Sequence, residues 1–139
     1  MGDILKEMEV DADDSMLDEV LEFLEQNLEE VGCSPKVSMQ ICVAAEEIFV
    51  NIAHYAYTPD TGKATVRIEF AGEPVTVIIT FMDNGVPFDP LAKEDPDDDV
   101  LYGEDKIGGF GIFMTKKMMD DVTYEYKDGQ NILHLKKKL

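Results

Sequence analysis

Positive charge is scarce in this sequence. Lysine and arginine total 12 against 30 aspartates and glutamates, a formal net charge of −18 over 139 residues. Arg67 is the sole arginine. A nucleic-acid binder needs a basic patch to neutralise phosphates, so that class is excluded. Docking on anionic lipid is excluded on the same ground. An acidic surface suits solubility or attraction to a basic partner, and charge alone does not separate the two. Cysteine is also sparse. Cys33 and Cys42, with no secretory segment, do not make a disulfide framework and read as reduced thiols. No apolar run reaches ~18 residues, so no membrane-spanning helix is expected. "MGDILKEMEVDADD" has no apolar h-region and no basic start, which argues against a signal peptide. Lys6 stands where a myristoylation pattern wants Ser or Thr. The expected compartment is the cytoplasm.

What is present is the patterning of one folded domain over residues 1–139, long enough for a proper core. "ILKEMEV" fits a short first strand. Met16, Leu17, Val20, Leu21, Leu24, Leu28 and Val31 recur at helical spacing, with acids on the opposite face. Asp14 or Ser15 is the expected cap of this helix and Gly32 its end. Ser34-Pro35 opens a second helix, expected to continue through Tyr57 and stop before Thr58-Pro59. "KATVRIEFAG" and "PVTVIITFMD" read as strands joined by a turn. Asn84 to Gly109 has little periodicity and is rich in Gly, Pro and Asp. A short helix, "FGIFMTKKMMDD", and a hairpin around Asp128-Gly129 follow. This order predicts an α+β fold. It is a two-layer sandwich whose mixed, mostly antiparallel sheet has its helices on one face.

The second helix carries an anomaly. "AAEEIFVNIAHYAY" (Ala44–Tyr57) is apolar enough to be covered on most sides, yet holds two glutamates, an asparagine and a histidine. On a wheel with Glu47 at zero, Asn51 lies at about 40° and His54 at about 340°, while Glu46 lies about 100° away. Glu47, Asn51 and His54 thus form one narrow polar stripe. A helix edge in water, a polar network inside the core and a ligand wall all fit it. For the ligand wall, Glu and Asn one turn apart offer the oxygens that a hard cation such as Mg²⁺ takes. Zinc does not fit, because no second His or Cys stands at helical spacing.

Two further stretches bear on that choice. In "FMDNGVPFDP" (Phe81–Pro90) a β-run ends in Asp83, followed by Asn84-Gly85. It is either a plain polar turn or an acceptor carboxylate at a strand end, with Gly85 letting a ligand plane come close to the backbone. In "IGGFGIFM" (Ile107–Met114) three glycines precede a helix, as a flexible start or as an anion site. It is not a P-loop, since no Gly-Lys-Ser/Thr follows, and not a dinucleotide fingerprint, since no strand immediately precedes it.

In this order the pieces resemble the N, G1 and G2 boxes of the GHKL ATPase superfamily, which includes histidine-kinase catalytic domains, gyrase B and MutL. Glu47-x-x-x-Asn51, Asp83-x-Gly85 and Gly109-x-Gly111 carry the resemblance, which spans essentially the whole chain. The subgroup it resembles best is the anti-sigma-factor serine/threonine kinases of bacterial partner-switching systems. The resemblance implies ATP and Mg²⁺ as cofactors, an anti-anti-sigma protein and a sigma factor as partners, and a homodimer. It implies that Glu47 is the general base and that Asn51 holds Mg²⁺. Asp83 would accept from the adenine amino group and Gly85 would let the base lie close. Gly109 and Gly111 would serve the phosphates, residues 88–107 would form a lid, and Asn131 would stand near the adenine where the family often has Thr.

Three departures from the family pattern are visible. The N box often ends in a histidine four residues after its Asn, but Tyr55 stands there and His54 comes one residue early. The lid has no arginine, leaving Lys106 or Lys93 as point charges near the phosphates. Its "EDPDDD" run repels a triphosphate unless turned to water. These departures support an alternative of the same fold, an ATP-dependent protein-binding module without catalysis.

Overall fold

The structure, a computed structural model, describes residues 4–57, 60–92 and 110–139. Strand β1 (Ile4–Asp11) leads through a 3-10 turn (Asp14–Met16) into helices α1 (Leu17–Glu30) and α2 (Pro35–Tyr55). Strands β2 (Lys63–Ala71) and β3 (Thr76–Asp83) follow. After a second 3-10 turn (Pro90–Ala92) and helix α3 (Phe110–Met118), the hairpin β4 (Asp121–Lys127) and β5 (Gln130–Lys138) completes the sheet.

The caps follow from residue chemistry. Asp13, not Asp14 or Ser15, caps the entry to the first helical segment, its carboxylate accepting from the Ser15 N–H at 3.1 Å. The Ser34 hydroxyl accepts from the Val37 N–H at 3.3 Å, and Pro35 occupies the first turn of α2 without a donor to lose.

The five strands lie in the order β1-β2-β3-β5-β4. The sheet, expected to be mostly antiparallel with some parallel pairing, is antiparallel at every described pairing. For two of the four pairings the reason lies in the connections: tight turns join β2 to β3 and β4 to β5, and such turns serve antiparallel neighbours only. Alternation along the strands turns Val66, Ile68, Val77, Ile79, Phe81 and Leu135 to one face. There they form a single cluster with Val20, Leu24 and Leu28 of α1 and Ile41, Ile48 and Phe49 of α2. Each such side chain contributes about 1.5–3 kcal/mol on full burial. The three helices among the described residues cover this face, with α3 packed against α2.

Helix α2 ends at Tyr55, two residues short of the Tyr57 end expected from the sequence. The Ala56 N–H still bonds the Ile52 carbonyl, but the Ala56 carbonyl accepts from the Val86 N–H at 2.9 Å. Tyr57 then leaves the helix. Its hydroxyl donates to the Lys63 carbonyl at 2.6 Å and accepts from the Asn84 N–H at 2.8 Å. Tertiary bonds therefore set this helix end and fix the loop after β3 against it.

Candidate functional site

A narrow slot opens between the C-terminal half of α2 and the ends of β3 and β5. Ile48, Asn51 and Ile52 form its helix wall, and Phe81, Asp83 and Asn131 its sheet wall. Phe88, Pro90 and Tyr124 close the remaining sides. The slot is mainly apolar with a few convergent polar groups, the usual make-up of a small-molecule site.

Asp83 is its central polar group and is 4 % exposed. Its Oδ1 accepts from the Gly85 N–H at 2.9 Å and from Asn131 Nδ2 at 2.9 Å. Burial pushes the Asp83 carboxyl above the ordinary range, and those two donors pull it back only in part. Asn131 is the junction of the site. Its Nδ2 also donates to the Val86 carbonyl at 2.8 Å, while its Oδ1 accepts from the Phe88 N–H at 3.1 Å and from the Tyr124 hydroxyl. One side chain thus ties β5, β4, the end of β3 and residues 86–88 together.

Asn51 lines the slot; Glu47 stands one turn earlier on α2 and is not part of the slot lining. Glu47 is half-buried. Burial raises its carboxyl above the usual range, the Asn51 side chain opposes this, and the neighbouring Glu46 charge adds to it. The stripe does not hold together at His54. Its Nε2 lies 2.7 Å from Asp14 Oδ2, on the exposed side of α2 beside the 3-10 turn, and it does not line the slot.

Gly85 has a different neighbour from the one expected. A Cβ there would sit 2.2 Å from the Ala56 carbonyl oxygen, so the close approach is between this loop and the end of α2. Gly111 falls in the first turn of α3. Gly109, Lys93, Lys106 and the lid from residue 93 to 107 lie outside the described residues. Arg67 faces away from the slot on β2, its Nε donating to Glu7 Oε2 at 3.1 Å.

Three aromatic residues here were not picked out from the sequence. Tyr124 lines the slot and holds Asn131. Phe88 stacks on Tyr55 with ring centroids 6.0 Å apart and planes at 28°. Tyr124 had a readable signal, since alternation in "DVTYEYK" puts it on the inner face with Val122. Phe88 and Tyr55 had none.

The class is an α+β sandwich with a buried carboxylate at a strand end, across a mainly apolar slot from Asn51 on the covering helix. The profile of the Histidine kinase-like ATPase domain matches residues 10–137, and the chain belongs to that family. It is similar to the serine-protein kinase RsbW of Listeria monocytogenes serotype 4a (strain HCC23), 28 % identical over 110 residues. That alignment covers 76 % of this chain and 69 % of the relative. It is also similar to the serine/threonine-protein kinase BtrW of Bordetella bronchiseptica, 26 % identical over 102 residues, covering 73 % of this chain and 71 % of the relative. Among solved structures, the RsbU and RsbW domains of a Mycobacterium tuberculosis protein match with a TM-score of 0.64 at 16 % identity. That match covers 96 % of this chain and 32 % of the other, and it supports the shared fold. No helix among the described residues is long and apolar enough to cross a membrane.

Proposed function

We propose that the chain is an ATP-dependent serine/threonine protein kinase of the anti-sigma type. It phosphorylates an anti-anti-sigma protein and, when that partner is not engaged, sequesters a sigma factor. The observation that carries this reading is one slot lined by buried Asp83 on one wall and Asn51 on the other, with Glu47 one turn before Asn51 on the same helix. The similarity to serine-protein kinases supports the choice of acceptor.

Asp83, fixed by Asn131 and the Gly85 N–H, is the acceptor for an exocyclic amino group of the base. The apolar walls from Ile48, Ile52, Phe81 and Leu133 take the faces of the ring. Glu47 accepts the proton of the attacking serine hydroxyl. The serine oxygen forms the new bond to the γ-phosphorus as the bond to the β–γ bridging oxygen breaks, and ADP leaves. A carboxyl raised by burial is a better proton acceptor than an ordinary glutamate, which suits it to that step.

The donor set fits Mg²⁺. Asn51, on the slot wall, offers a side-chain oxygen, the hard ligand that cation takes, and Glu47 is left for the proton. The described residues hold no group of three His, Cys, Asp or Glu side chains placed for a metal. A cation completed by phosphate and water needs no such cage. Its contribution is neutralisation of the phosphate charge.

Calorimetric titration of the protein with Mg-ATP tests the nucleotide site. Binding is expected, with loss on Asp83→Asn. A wild-type protein that gives no binding heat and no thermal shift with Mg-ATP would sink the reading.

One observation favours a second reading, an ATP-dependent binding module without turnover. Arg67 is paired with Glu7 on the sheet face away from the slot. No other arginine exists to stabilise the transferring phosphate. Incubation of the cognate partner with γ-labelled ATP separates the two: label on the partner eliminates the module.

A further inference from the structure

On the side of α2 away from the slot, α1 and α2 frame a groove of about 500 Å³. Helix α2 contributes Met39, Val43 and Glu46, at i, i+4 and i+7. Helix α1 contributes Leu21, Glu25 and Glu29, at i, i+4 and i+8. Residues at these intervals stack along one face, so each helix presents a continuous ridge of about two turns. Two features set this face apart from an ordinary solvated surface.

The first is exposed apolar area. Met39 is 62 % exposed and Val43 is 42 % exposed, side by side on one turn of α2. Between the ridges the floor is Cys42. Burial and the nearby Glu25 charge push its thiol up to about 11, so the floor is neutral near pH 7. The second feature is the sign of the rim. Among the described residues, the charged groups lining the groove are Glu25, Glu29 and Glu46, with no lysine or arginine. Three carboxylates around an apolar trough attract cations while leaving the centre free to exclude water.

We propose that this groove is a docking site for a basic amphipathic helix of a partner protein. The occupant lays an apolar stripe on Met39, Val43 and Leu21 and directs lysines or arginines to Glu25, Glu29 and Glu46. Helix-in-groove recognition needs an apolar trough between two ridges, anchors spaced at i, i+3/i+4 and i+7, and complementary charge at the rim. The rim length, about two turns of each helix, suits an occupant of two to three turns. The site is independent of the nucleotide slot, which uses the opposite side of α2 and the sheet.

The test is fluorescence anisotropy with two labelled 18-residue peptides of identical composition. One places leucines at i, i+3, i+4 and i+7 among lysines; the other scatters the same residues. Wild-type protein is expected to bind the patterned peptide at least tenfold more tightly than the scattered one. Met39→Asp with Val43→Asp is expected to remove that preference, and Glu25→Lys with Glu46→Lys to lower affinity at least tenfold and flatten the salt dependence. Equal affinity for both peptides means diffuse attraction to the acidic surface, and overturns the proposal. So does an unchanged preference in the Met39/Val43 variant. Sedimentation of the same variants supplies a further check. A wild-type dimer that the Met39/Val43 change turns into a monomer makes a second copy the occupant, and also overturns the proposal. All altered side chains are at the surface, and Mg-ATP binding by each variant reports that its fold is intact.

Discussion

Asn131 Nδ2 donates to Asp83 Oδ1 at 2.9 Å between two residues that face each other directly in the β3–β5 register. The contact joins two strands separated by 48 positions in sequence, and it does so at the inner end of the slot. Asn131 has its donor and acceptor sides both occupied, so its replacement leaves several groups without partners at once.

Asn131→Ala is expected to cost about 1–3 kcal/mol in denaturant unfolding, the range for leaving buried polar groups unpaired. It is also expected to weaken Mg-ATP binding at least tenfold, because Asp83 loses a donor and residues 86–88 lose their tie. Asn131→Asp places a second acid against Asp83 and is expected to be worse on both measures. Unchanged nucleotide affinity in Asn131→Ala would remove this residue from the site.

Glu47→Gln separates stability from chemistry. The Glu47 carboxyl is raised in the folded state, chiefly by burial. A raised acid favours its protonated form in the fold, so ionising it at neutral pH costs stability. That cost is absent below the ordinary glutamate range and is fully present once pH has risen through the raised folded value. The variant is therefore expected to melt higher than wild type at pH 7, with the gap closing as pH falls. Phosphoryl transfer is expected to drop about 100-fold or more, the usual loss for a missing general base. Transfer by the wild type should fall on the acid side, with its midpoint above the ordinary glutamate range. A Gln variant that transfers phosphate at the wild-type rate removes Glu47 as the base.

Gly85→Ala tests the seam between the loop and α2. The new Cβ would lie 2.2 Å from the Ala56 carbonyl oxygen and 2.6 Å from its carbon, both backbone atoms that cannot rotate away. The loop must move outward and strain the Val86–Ala56 hydrogen bond. The expected cost is about 1–3 kcal/mol, the range for overpacking. Nucleotide binding is expected to weaken with it, because the Gly85 N–H is one of the two donors to Asp83. A melting temperature equal to wild type would show that the seam opens freely.

Most of the scaffold was legible because its signals are local. Alternation in "KATVRIEF" and "TVIITFMD" marks β2 and β3, and helical spacing from Met16 to Leu28 marks the inner face of α1. The placing of Glu47 and Asn51 one turn apart on α2 was legible for the same reason, since residues four apart share a helix face whatever surrounds them. His54 was not. A wheel assigns an angle, but only the packing of the 3-10 turn places Asp14 beside that angle rather than the slot. The position of Asp83 at a strand end was readable, but not what holds it. Asn131, Tyr124 and the Phe88 N–H are distant in sequence and meet through sheet register. The need for glycine at position 85 was visible, while its cause, the Ala56 carbonyl, belongs to the tertiary fold.

The strand order β1-β2-β3-β5-β4 also bears on the order in which the molecule matures on the ribosome. β3 and its Asp83 are made long before β5, yet β5 is the strand that pairs on that side of β3 and brings Asn131. A nascent chain that has released α1, α2, β2 and β3 carries Glu47, Asn51 and Asp83 but lacks the residue that aims the carboxylate. The α1–α2 groove, by contrast, is made entirely of residues released early. The proposed groove is complete in sequence before the slot is, so the two surfaces come of age at different times during synthesis.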